Sequence, residues 1–174
     1  MHLIIDGYNL IRTDKSLSPK VNLQSLRETL LNKLSLYKKG KIHKITVVFD
    51  GSHSDNTSRT IENIYGIKVI YSKQNETADD VIKEIVETSE NPGEILVVTS
   101  DNELRHAVRA GGVSVTSSGS LSRRLKEHMQ TNNKEEISKA EYFEKYVKGY
   151  VEEYDPVKKG NPKKEKKKQM RNLW

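Results

Sequence analysis

The chain of 174 residues contains no cysteine, which removes disulfides, thiolate metal sites and cysteine nucleophiles and suits a reducing compartment. It also contains no apolar run near the roughly 18 residues needed to span a bilayer, and its first residues enter a strand pattern with no basic leader. A cytoplasmic protein with no membrane partner is the expectation. No internal repeat is present. No G-x-G-x-x-G turn follows the first strand, so dinucleotide binding has no support and no small-molecule organic cofactor is expected.

What is present is charge, and it is unevenly placed. The net charge is +6, yet between Lys158 and Trp174 eight basic residues face Glu165 alone, so the rest of the chain is close to neutral. Beyond Asp155-Pro156 the composition falls to Lys, Glu, Gly, Asn and Pro, which cannot bury enough apolar area to fold alone. A basic disordered tail is expected there. Its Lys163, Lys164, Lys166, Lys167 and Lys168 are candidates for sequence-independent contact with RNA phosphates.

The informative pattern lies upstream. The runs His2–Ile5, Ile45–Phe49 and Ile95–Thr99 are short, rich in β-branched residues and bounded by Asp or Gly, which reads as strands buried on both faces. They alternate with helical patterns. Leucines at 23, 26, 30, 31 and 34 mark an amphipathic helix over Asn22–Lys38, Thr77 is placed to cap a helix through Glu87, and Asp101 or Ser100 to cap one ended by Gly111-Gly112. Ile67–Tyr71 reads as a further strand, Asn91-Pro92-Gly93 as a turn and Val113–Thr116 as a last short strand. Leu121–Met129 and Ser138–Tyr150 read as two more helices. The predicted fold is α/β, a three-layer doubly wound, mostly parallel sheet with a C-terminal helix. In such sheets ligands bind beyond the carboxyl ends of the strands.

Acids collect at those ends: Asp6, Asp50, the Glu76, Asp79 and Asp80 group, and Asp101. One aspartate at a strand end is often a turn residue or helix cap. Several together repel one another and cost stability unless a cation neutralises them, and an all-oxygen set favours Mg²⁺ or Mn²⁺. Asp50 with Gly51 either lines this edge or simply turns the chain, and Asp79 and Asp80 also suit the first turn of a helix.

In order, LIIDGYNLI, VVFDG at 47–51, ETADDVI at 76–82 and VVTSDNEL at 97–104 resemble the YacP-like NYN-domain proteins, a branch of the PIN-like nuclease superfamily. The resemblance covers about residues 1–130. It implies a metal-dependent ribonuclease leaving a 5′-phosphate and a 3′-hydroxyl. Asp6 matches the aspartate of DGYN, Asp79 that of TAD and Asp101 that of TSD, which makes these three the expected catalytic and metal-binding acids. Asn9 matches the asparagine that orients a ligand or water, and Asp80 stands where a supporting acid is usual; Glu76, Asp50 and Ser100 complete the supporting set. The expected organisation is a nuclease domain over 1–130, a helical extension over 131–155 and the basic tail over 156–174.

The chemistry is consistent with these residue types. Phosphodiester cleavage needs an activated water and an offset for charge on the phosphate oxygens, and a bound Mg²⁺ or Mn²⁺ supplies both without a side-chain nucleophile. A metal-free ribonuclease would need paired histidines, and His2, His43, His53, His106 and His128 are scattered. Arg105, Arg109, Arg123 and Arg124 are candidates for phosphate contacts or else a solvated basic face. Tyr8 is placed to stack a base beside the acids or to pack as an ordinary half-buried tyrosine. Tyr142, Phe143, Tyr146, Tyr150 and Tyr154 form a helical stripe suited to packing.

The leading expectation is an endoribonuclease acting on single-stranded RNA, either mRNA or ribosome-associated RNA, with the ribosome a candidate partner. The alternative is a noncatalytic RNA-binding or ribosome-associated module. A phosphatase of the haloacid-dehalogenase kind would place a second aspartate where Tyr8 stands.

Overall fold

The computed structural model describes residues 1–15, 17, 22–38, 44–51 and 57–142, with side chains described as far as Asn132. His43, His53, the tail lysines and the stripe residues Phe143, Tyr146, Tyr150 and Tyr154 lie outside the described residues. Contacts divide the chain into Met1–Asn132 and Asn133–Trp174. All that follows on the sheet and the site belongs to the first unit.

The elements run β1 (His2–Asp6), α1 (Gly7–Thr13), α2 (Leu23–Lys38), β2 (Lys44–Phe49), β3 (Thr60–Ile64), β4 (Ile67–Tyr71), α3 (Ala78–Glu87), β5 (Ile95–Val98), α4 (Asn102–Ala110), β6 (Ser114–Thr116) and α5 (Ser118–Tyr142). The sheet order is β3-β4-β2-β1-β5-β6, parallel throughout except for the edge strand β3. Both faces are covered, because alternate residues enter two cores. Leu3, Ile5, Val47, Phe49 and Val69 pack with Leu10 of α1, Leu30, Leu31 and Leu34 of α2, and Leu121 and Leu125 of α5. Ile4, Val48, Ile70 and Val97 pack with Val81, Ile82 and Val86 of α3 and Leu104 and Val108 of α4. This is the doubly wound, three-layer arrangement expected.

Three elements differ from the sequence reading. Helix α1 starts directly after Asp6, where no helix was predicted, because the Asp6 side chain caps it. Thr60–Ile64 is a strand that pairs antiparallel with β4 through a two-residue turn at Tyr65 (φ 53°) and Gly66 (φ 76°). Both turn residues have positive φ, as a tight hairpin with right-handed strand twist requires. The two helices expected over Leu121–Met129 and Ser138–Tyr150 are one continuous helix through Tyr142, since neither glycine nor proline interrupts 121–142.

The register sets up the site. Asp6 lies level with Val48 of β2, and Ile5 lies level with Val98 of β5. Thr99 therefore follows β5 beside Asp6, and Asp50 is two residues past its level on β2. Strands β2 and β4 lie on one side of β1 and β5 and β6 on the other, so the order reverses at the β1/β5 boundary. Such a reversal opens a crevice at the carboxyl ends of the strands.

Gly7 links β1 to α1 with no room for a side chain, because a Cβ there would lie well inside contact distance of the Phe49 ring. Phe49 is fully buried and cannot swing aside cheaply. Gly7→Ala is expected to destabilise the protein by about 1–3 kcal/mol, the cost typical of overpacking. A second change, Phe49→Leu, made in the Gly7→Ala background should recover part of that loss in denaturant titrations, and it should do so only if this contact is the cause.

Candidate active site at the strand ends

Asp6 is buried at the end of β1 and points to the same side of the sheet as Ile4, toward α3 and α4. One carboxylate oxygen accepts the Asn9 N–H (3.1 Å), and the other lies 3.4 Å from the Thr99 hydroxyl. Across the strand-order reversal, Asp101 caps α4 by accepting the Leu104 N–H at 2.9 Å, while its own N–H donates to the Thr99 hydroxyl at 3.1 Å. Thr99 thus bridges the two acids.

Asn9 proves to be a cross-link. Its side-chain carbonyl accepts the Ser100 N–H (3.2 Å) and the hydroxyl of fully buried Ser118 (2.9 Å), and the Ser118 N–H donates to the Ser100 hydroxyl (3.2 Å). Asn9 and Ser100 therefore pin α1, the β5–α4 turn and the start of α5 to one another. Sequence reasoning missed Thr99, for which a hydroxyl residue just past a buried strand was the available signal, and it missed the pairing of Ser118 with Asn9.

The remaining acids divide between two roles. Asp50 accepts the Ala78 N–H at 2.6 Å, so the end of β2 holds the first residue of α3. That contact brings Asp79 to the same edge. Asp80 instead turns back to Thr77, accepting its N–H at 3.0 Å and its hydroxyl at 2.7 Å, while the Thr77 hydroxyl accepts the Asp80 N–H. This reciprocal capping box holds the Asp80 carboxyl below the usual range. Glu76 is held by Arg59, which donates to both of its oxygens at 2.7 and 2.8 Å and also grips Glu84. Those hydrogen bonds lower the Glu76 carboxyl and raise Arg59.

Electrostatics show which acids share an environment. Burial, and then the charges of Asp79 and Asp50, push Asp6 up to about 6, against the opposing Asn9 N–H and Thr99 hydroxyl. Burial likewise raises Asp79, with the charges of Asp101, Asp50 and Asp80 adding and Lys83 opposing. Lys83, one turn beyond Asp79, is a cation at this edge that the i, i+4 spacing would have revealed. Among the described residues no three acidic, histidine or cysteine side chains form a preassembled metal-binding group. Asp6, Asp79 and Asp101 are neighbours in charge without being a finished ligand cage.

The other candidates are not all at this edge. Arg105 lies on α4 one turn past Asp101, half-buried with an Nε that has no hydrogen-bond partner, whereas Arg109, Arg123 and Arg124 are exposed. Tyr8 packs on Phe49 (ring centroids 5.1 Å) with Arg27 of α2 over its ring. His2 sits at the opposite end of β1 from Asp6, hydrogen-bonded to Thr46 at 2.8 Å. His106 is exposed on α4, and His128 meets Tyr37 edge-on.

A pH dependence follows from Asp6. Its folded value of about 6 exceeds its ordinary 3.8, so between these values the folded protein retains a proton that the unfolded chain has released. Stability from this group is full below the lower value and is lost as pH rises through the upper one. In chelator, Asp6→Asn, which still caps α1, should raise stability above pH 6 by up to about 3 kcal/mol. The gain should vanish near pH 4 in melting curves taken across that range.

A family model for the YacP-like NYN domain matches residues 3–171, extending well past the motifs and through most of the basic segment. The uncharacterized protein YacP of Bacillus subtilis (strain 168) is 30% identical over 126 residues, covering 71% of this chain and 74% of that protein. The crystal structure of a point mutant of Rae1 (YacP) from Bacillus subtilis is similar with a TM-score of 0.65 and 26% identity, over 79% of this chain and 84% of that one. A second crystal structure of Rae1 (YacP) shares the fold at TM-score 0.65 and 24% identity, over 89% and 99% of the respective chains. With aspartates gathered where the strand order of a doubly wound sheet reverses, the chain belongs to the YacP-like NYN domain family, within the PIN-like nucleases.

Proposed function

We propose that the protein is a divalent-metal-dependent endoribonuclease that cleaves single-stranded RNA. The observation that carries this reading is the shared charge environment of Asp6, Asp79 and Asp101, with Asp6 and Asp79 both raised above the ordinary carboxylate range. An all-oxygen, mutually repelling donor set fits Mg²⁺ or Mn²⁺, with Asp6, Asp79 and Asp101 as the residues that would hold it. Bound there, the ion would supply an activated water and offset charge on the phosphate oxygens.

The chain's own residues prepare that chemistry. Thr99 spaces Asp6 from Asp101, and the Asn9, Ser100 and Ser118 bonds fix the turn that carries Asp101. Asp50 ties Asp79 to the edge through Ala78, and Lys83 limits the repulsion that Asp79 meets. Arg105, one turn past Asp101 on α4, is suited to phosphate contact, whereas Arg109 lies in the last turn of that helix, away from the acidic edge. The basic residues from Lys158 onward add affinity for RNA without reading its sequence.

Incubation of the full-length protein with end-labelled single-stranded RNA tests this directly. Cleavage should require Mg²⁺ or Mn²⁺, stop with chelator and leave 5′-phosphate ends. Asp6→Asn, Asp79→Asn and Asp101→Asn should each lose more than the roughly 10–100-fold typical of changes to supporting residues, whereas Asp80→Asn should stay within that range. RNA that is bound but never cut, in any divalent ion, would identify a binding module instead. Deleting residues 157–174 should reduce the slope of log affinity against log salt by at most about 5.6, the limit for eight neutralised phosphates on a single strand. An unchanged slope would remove the tail from RNA binding.

A further inference from the structure

Beside the acidic edge, on the opposite face of the sheet, α2 presents Arg27 to a cluster of aromatic rings. Its guanidinium carbon lies 5.3 Å from the ring centre of Tyr8, 5.6 Å from that of Phe49 and 5.4 Å from that of Tyr71. Phe49 and Tyr71 stack at 5.7 Å with an interplanar angle of 21°. Each ring lies at the carboxyl end of a strand or just beyond it: Tyr8 is two residues past Asp6, Phe49 immediately precedes Asp50, and Tyr71 ends β4. Arg27 thus stands at the same edge as the acids, carried by the helix that covers the other face.

The bonding of this arginine is incomplete. One terminal nitrogen donates to the Tyr8 hydroxyl, the other reaches only the Gln24 side-chain carbonyl at 3.5 Å, and the buried Nε has no partner. Among the described residues no carboxylate pairs with it, although Arg59 and Lys33 both have acidic partners. A stacked guanidinium is weakly hydrated, always charged and shaped to receive two phosphate oxygens. The Tyr8 hydroxyl, having accepted from Arg27, keeps its own proton to donate. Its ring, meanwhile, is engaged by Phe49 and by Arg27 itself.

We propose that Arg27 and the Tyr8 hydroxyl form a phosphate-binding subsite that holds the RNA backbone next to the position of cleavage, so that Tyr8 reads a phosphate and not a base. This rests on the ribonuclease reading above and deepens it. A strand lying across the sheet edge meets the acids on one face and this pair on the other, and the subsite sets which phosphate faces the carboxylates. Phe49 and Tyr71 hold the guanidinium in place and are positioning residues.

The test is binding of a short labelled single-stranded RNA to the full-length protein in chelator, across a salt series, with melting temperature and single-turnover cleavage measured on the same preparations. Arg27→Met should weaken binding about ten-fold, as loss of one charge-assisted contact does, and lower the salt slope by about 0.7. Tyr8→Phe, which keeps the ring, should weaken binding a few-fold and slow cleavage at limiting RNA; a base-stacking role predicts no change. Arg27→Lys keeps the charge and most of the packing stem, so it should retain the slope while losing affinity. Unchanged affinity and slope in both Arg27→Met and Tyr8→Phe would overturn the subsite. So would affinity that falls only in step with melting temperature at constant slope, which marks a packing cluster. Failure of the wild-type protein to bind or cut RNA would instead overturn the ribonuclease reading beneath it.

Discussion

Mutual repulsion among carboxylates at one sheet edge is the constraint around which this structure is arranged. Asp6 is buried with Asp79 and Asp50 near enough to raise it, and Asp79 also feels Asp101. Such a cluster is costly in a medium that solvates charge poorly. Of the helices that begin at that edge, three each offer an N–H to an acid: α1 to Asp6, α3 to Asp50 and α4 to Asp101. The positive ends of the helices and these hydrogen bonds offset part of the repulsion. They leave Asp6 protonatable near neutral pH, a perturbation of the kind that accompanies functional sites.

The same hydrogen bonds divide work among residues of one type. Asp79 and Asp80 are adjacent in sequence but about 100° apart around α3, so they cannot share a direction. Asp80 closes a capping box and is held low by Thr77, while Asp79 is carried to the acidic edge and raised. Glu76, one residue before the cap, is committed to Arg59 and keeps the approach to α3 in place. Asn9 acts in a comparable way, joining three chain segments that meet only at the switch in strand order. An acid or amide near the site therefore takes its role from its partner.

The two faces of the sheet contribute differently. Acids approach from the α3 and α4 side, and the aromatic rings with Arg27 approach from the α1 and α2 side. Both meet at Gly7, where the absence of a side chain lets the Phe49 ring sit against the chain that joins Asp6 to Tyr8. Packing in one core thereby sets the position of the buried acid that faces the other.

Much of this was legible in the chain itself. Short β-branched runs ending in aspartate can be little other than buried parallel strands, and their alternation with amphipathic helices determines a doubly wound sheet whose carboxyl edge is acidic. The caps at Thr77 and Asp101 were equally local, because a cap is a bond between neighbours in sequence. Helix α1 escaped notice because seven residues are too few to show a helical period, and β3 because an exposed edge strand has little apolar pattern to show. Local pattern sufficed for the fold class and for placing acids at the carboxyl edge of the sheet. Long-range packing added the burial and the Asp79 charge that raise Asp6, the cross-link from Asn9 to Ser118 and the three rings around Arg27. Those outcomes depend on residues from 19 to 109 positions apart being brought into contact, and no local pattern records such distances.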